Sequence, residues 1–105
     1  MNANIMNAKP TIYTGATKIF TIAGGFYYFG TMVDAPDGWI GLTNYSMFGS
    51  FSGGKGLPGV ARGDKAAEVT LDQFGDGRFG YFPVSSCYGV HDSTDLYKFK
   101  GTTLR

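Results

Sequence analysis

Between Gly24-Gly25 and the turn Pro36-Asp37-Gly38 runs FYYFGTMVDA (26–35), with apolar side chains at both alternating positions. Successive side chains of an extended chain point to opposite faces. Phe26, Tyr28, Gly30 and Met32 therefore share one face of this segment, and Tyr27, Phe29, Thr31 and Val33 share the other. Neither face suits water, so a strand of this kind asks for cover on both sides. Gly30, in mid-strand, is a natural place for a sharp bend or a bulge.

The neighbouring segments continue the pattern. KIFTIA (18–23) is rich in β-branched and aromatic residues and ends at the glycine pair, which marks a first strand and a turn. In the second turn Pro36 presets its φ angle and Gly38 accepts a positive one. WIGLTNYSMF (39–48) follows as a third strand, so the first three strands form a meander. With 17 glycines in 105 residues, 16% aromatic and 16% charged residues, the composition suits a turn-rich all-β domain. A chain of this length buries only about two thirds of its unfolded surface, so a face hidden against a partner subunit stabilises it further.

The middle changes character. GSFSGGKGLPGVARGDKAAE (49–68) is glycine-rich and loop-like, and DKAAEVTLDQF reads either as one or two helical turns or as a strand opening at 68–74. GDG (75–77) is a turn. RFGYFPVSSCYGV (78–90) is a strand whose internal Pro83 makes it an edge or bulged strand. DLYKFK (95–100) alternates strictly and reads as the last strand. The expected organisation is an amino-terminal arm over 1–17, with a short strand at Thr11–Tyr13, then a domain over 18–105. Its expected architecture is a small, strongly bent five-stranded barrel with a long loop between strands three and four.

Several function classes find no support. The net charge of +1 gives no global pull toward nucleic acid or anionic membrane. Cys87 is the single cysteine, which rules out an internal disulfide. A nucleophilic pair of Cys87 with His91 lacks an evident oxyanion site, and zinc lacks a second His or Cys. His91-Asp92-Ser93 reads instead as a polar turn, and Asp72 and Asp76 pair only if the chain folds back. GGKGLPG (53–59) misses the phosphate-loop spacing. RGD at 62–64 reads as a loop turn with a local ion pair. No metal, cofactor or catalytic residue is expected. The start MNANIMNAKP lacks the basic residues and long apolar run of a signal peptide, which points to the cytoplasm, or to a host cytoplasm for a phage-encoded chain.

IFTIAGGFYYFGTMVDAPDGWIGL (19–42) resembles the first motif of Sm and LSm proteins. Gly25 stands at that motif's turn, Gly30 at its central glycine, Met32 at the apolar residue after it, and Leu42 at the close of the third strand. The resemblance implies a ring of subunits joined through strand edges and a single-stranded RNA site. It is incomplete there. Asp37 stands near the family's RNA-site Asp, Trp39 takes the base-stacking place, and no Asn follows. The Arg-Gly of the second motif has two candidates. GVARGD (59–64) matches in letters, and SSCYGV (85–90), with Tyr88-Gly89, matches better in order, leaving 49–77 as an insertion.

On this basis Asp37, Trp39 and Tyr88 are candidate base contacts, and Lys55, Arg62 and Lys65 candidate phosphate contacts. Tyr27, Phe29, Phe82, Tyr97 and Phe99 are the candidates for an interface between copies. The expected function is non-enzymatic: a homo-oligomeric ring with single-stranded RNA as its ligand. The alternative is a structural or assembly component of a phage or virion, with no nucleic acid bound.

Overall fold

The computed structural model describes residues 17–22 and 24–105. The expected strand at Thr11–Tyr13 and all but the last residue of the amino-terminal arm lie outside them. The described residues form one mixed sheet of seven strands: β1 (Thr17–Ile22), β2 (Phe26–Val33), β3 (Trp39–Ser52), β4 (Glu68–Gln73), β5 (Phe79–Pro83), β6 (Cys87–Asp92) and β7 (Thr102–Leu104). Among the described residues a short helix, α1 (Leu57–Arg62), precedes β4, and a 3-10 turn over Val84–Ser86 joins β5 to β6. The order is β6-β1-β2-β3-β4-β7, with β5 beside the first part of β3. Among these strands only the β4–β7 pair is parallel.

The all-β reading holds, while the barrel does not close. Among the described residues β5 pairs only with β3 and β6 only with β1, so the sheet is open. Three local expectations are also corrected. Residues 49–77 are not one long loop: β3 runs on to Ser52, α1 follows, and β4 takes up the strand that was one of the two readings of 68–74. Pro58 in the first turn of α1 and Gly63 in the left-handed conformation at its end bound that helix. The expected strand over 78–90 breaks where Pro83 leads into the 3-10 turn. The expected last strand over 95–100 is a turn, since the Asp95 carboxylate accepts from the Tyr97 N–H and the Asp95 carbonyl from the Lys98 N–H. The closing strand is β7.

Gly30 sits at the bend it was expected to make. Phe29 pairs with Ser46 and Thr31 with Thr43, so Asn44 and Tyr45 together oppose the single residue Gly30. The extra residue belongs to β3, and Asn44 takes a positive φ of 46° to accommodate it. Tyr45 crosses over Gly30 and Gly80 and stacks on Phe74 at 4.3 Å between ring centroids.

Both faces of the sheet carry a core. On one, Ile19, Phe29, Phe48, Val69 and Leu71 are buried beneath Val60 of α1 and Leu96 of the 93–101 segment. On the other, Ile22, Leu42 and Tyr45 are buried against Tyr28, Met32, Ile40, Phe82, Cys87 and Val90. The two sticky faces of β2 are thus covered largely by the chain itself. The first face is only half covered, and that half-cover sets the site.

Candidate functional site

Trp39 opens β3 directly after the turn, its N–H bonded to the Pro36 carbonyl. Register places it opposite Pro83, with Gly41 opposite Tyr81 and Thr43 opposite Phe79. On the other side of β3, Val33 faces Gly41 and Thr31 faces Thr43. Paired residues of antiparallel strands share a face, so Thr31, Val33, Trp39, Gly41, Thr43, Phe79, Tyr81 and Pro83 lie on one side of the sheet. Within this group Trp39 is 47% exposed, Tyr81 50% and Phe79 54%. It continues the same sheet face that α1 and the 93–101 segment cover farther along.

The cover ends at Tyr97. Its hydroxyl donates to the Asn44 carbonyl at 2.6 Å, and the Ser46 hydroxyl lies 2.8 Å away, donating to it. Burial pushes the Tyr97 phenol above its ordinary range, partly opposed by the Ser46 hydrogen bond.

The Phe79–Tyr81 part of this surface was missed by sequence reasoning. Its signal was present: RFGYFP alternates Phe79, Tyr81 and Pro83 against Gly80 and Phe82. Gly80 faces inward because the Tyr45 ring fills the place where its side chain would be.

The candidate RNA contacts separate into groups. Asp37 and Trp39 stand at one end of β3. Lys55, Arg62 and Lys65 gather beyond the other end, around α1. The 14 residues of β3 at about 3.3 Å each put roughly 45 Å of strand contour between the groups. Arg62 is engaged with Asp64 at 2.6 Å, and that hydrogen bond, aided by the charges of Arg62 and Lys55, holds the Asp64 carboxyl below its usual range. Tyr88 lies in β6. The pairing of β6 with β1 skips it, so it is the bulged residue, and it is 74% exposed.

The expected interface rings sit deeper than foreseen. Phe29, expected at an interface between copies, is fully buried within the chain. Tyr27, Tyr97 and Phe99 pack against the first core cluster and Phe82 against the second, each half-buried. Both results follow from α1, the 93–101 segment and β5 folding over the sheet.

Among the described residues, several side chains weighed for chemistry have other partners. The Cys87 thiol donates to the Gly89 carbonyl, and Lys18 pairs with Asp92, whose carboxyl is held below its usual range. Asp72 is taken by Arg105 at 2.8 Å. Among the described residues no group of three His, Cys, Asp or Glu side chains stands ready for a metal ion. A depression of about 370 Å³ is lined by Asn44, Tyr45, Gln73, Asp76, Tyr97 and Leu104. Its Tyr97 hydroxyl is already spent on Asn44 and Ser46. No helix among the described residues is long and apolar enough to cross a membrane.

No family model, curated protein or solved structure matches this chain.

Proposed function

We propose that the chain is a non-enzymatic assembly protein whose copies join through the free edges of β5 and β6. The observation that carries this reading is the pairing pattern. Among the described residues β5 bonds only β3 and β6 bonds only β1, and a single 3-10 turn links the two strands. Unpaired edges recruit another strand unless they are covered or blunted. Pairing β5 of one copy with β6 of the next removes a free edge from each, and in a closed ring no such edge is left over.

The β5 edge can donate. The Val84 N–H points toward β3 and bonds the Gly38 carbonyl. By alternation Phe82 and Gly80 do the same, and the backbones of Phe79 and Tyr81 present N–H groups outward. Pro83 has no N–H to present and falls on that outward side, as prolines of edge strands do. The Sm-type resemblance of residues 19–42 supports the same ring-forming reading. RNA binding is left out of the proposal, because the cations lie far along β3 from Trp39 and one of them is already paired.

The test is the mass of the native particle. Tyr81→Pro removes an outward donor while sparing the bonds to β3, and it is expected to abolish edge pairing with the fold retained by circular dichroism. Tyr81→Ala keeps the N–H and is the control that should retain edge pairing. Equal masses for the two variants contradict the proposal.

A further inference from the structure

We propose that the uncovered half-face around Trp39, Phe79 and Tyr81 is a second interface, seated against the same face of another copy across a twofold axis near Tyr81. This rests on the reading that the chain self-associates, but it uses side chains of a sheet face where edge pairing uses backbone groups.

The first argument is continuity. One sheet face is covered along half its length by α1 and the turn around Leu96, and the cover stops at Tyr97. Beyond that boundary Thr31, Val33, Trp39, Gly41, Thr43, Phe79, Tyr81 and Pro83 carry no formal charge. Three of their rings remain about half exposed.

Area is the second argument. Each aromatic side chain offers roughly 150–250 Å², so three half-exposed rings present about 300 Å² of apolar surface. A stable interface hides about 800 Å² per partner, of which somewhat more than half is apolar. Two such sheets pack face to face about 10 Å apart.

Charge sets the orientation. Asp34 and Asp37 flank the Trp39 end, and both are exposed. Arg78 adjoins Phe79 at the opposite end, in a turn that also holds Asp76. A twofold axis near Tyr81 brings Arg78 of each copy to the Asp34–Asp37 turn of the other, whereas a parallel arrangement stacks the acidic turns on each other. The patch is therefore complementary to itself in one orientation. Edge pairing through β5 and β6 stays open in that arrangement, so the two interfaces together build a double-layered particle.

The experiment is native mass spectrometry of the full chain with charge-swap rescue. Wild type is expected as an even number of copies, and Trp39→Asp as half that number. Asp37→Arg and Arg78→Asp singly should each raise the dissociation constant of the face contact at least about tenfold. The double variant should recover most of the loss. Rescue is specific to a like copy in the antiparallel orientation, and a variant that fails to fold cannot produce it. The edge variant Tyr81→Pro also lacks the ring, so the edge proposal is separated by Trp39→Asp, which should keep a ring of half the mass. A ring whose mass ignores Trp39→Asp overturns the face contact and leaves edge pairing standing. A two-copy wild type that Trp39→Asp reduces to one copy supports the face contact and overturns the ring. Absence of rescue in the double variant overturns the twofold orientation.

Discussion

A side-chain carbon placed on Gly30 would stand 2.7 Å from the Cβ of Tyr45, closer than folded proteins allow. Tyr45 also fills the space over Gly80, so one ring occupies the place where β2, β3 and β5 come together. The bulge at Asn44–Tyr45 and the two glycines form one device, which bends the sheet and brings β5 back over its second core.

Gly30→Ala is expected to cost about 1–3 kcal/mol, the range for overpacking a core. Urea unfolding measures it directly. A change below about 0.5 kcal/mol would mean that the strands part easily at this crossing.

Tyr97→Phe is expected to destabilise by about 1–3 kcal/mol, because Ser46, fully buried, loses its hydroxyl partner. Adding Ser46→Ala removes the stranded group, so the double variant should lose less than the sum of the two single losses. A double-mutant cycle in urea reads the coupling, and strict additivity would show that Ser46 finds another partner.

Burial raises the phenols of Tyr97 and Tyr28 in the folded chain. Between the ordinary tyrosine value near 10 and the raised folded value, the unfolded chain holds fewer protons than the native one. Stability is then full below about pH 10 and falls as pH rises through the folded values. Thermal melts from pH 8 to 11.5 should show this decline, and Tyr97→Phe should flatten it. An identical decline in that variant would assign the loss to other groups.

Oligo-uridine is expected to leave Trp39 fluorescence unchanged up to high micromolar concentration, since Lys55, Arg62 and Lys65 cluster at the far end of β3. A salt-dependent quench lost in Trp39→Ala would return the RNA reading to first place.

Much of the fold was legible. The glycine pair, Pro36-Asp37-Gly38 and the alternation of KIFTIA and FYYFGTMV placed β1, β2 and the start of β3 within one or two residues of their observed bounds, while β3 runs four residues past its expected end. Bulging at Gly30 was readable because only a residue without Cβ admits Tyr45 so closely. The last strand misled, since Tyr97 and Phe99 alternate as in a strand while Asp95 closes a turn through its side chain. β7 pairs in parallel with β4, a contact between distant segments that leaves no local pattern. At the site, the two apolar faces of β2 were evident, but what covers them was not. The cover comes from a six-residue helix inside a glycine-rich stretch, and it reaches only as far as Tyr97. Trp39 was singled out, whereas Phe79 and Tyr81 were passed over because their exposure depends on Gly80 turning inward beneath Tyr45.

The most direct measurement is the native mass of Tyr81→Ala beside that of Tyr81→Pro, at micromolar concentration and with folding verified. Pairing through the β5 edge predicts a defined multiple of the 11.3 kDa chain for the alanine variant and a folded single chain for the proline variant. One mass shared by both variants, or a monomeric wild type, would contradict it.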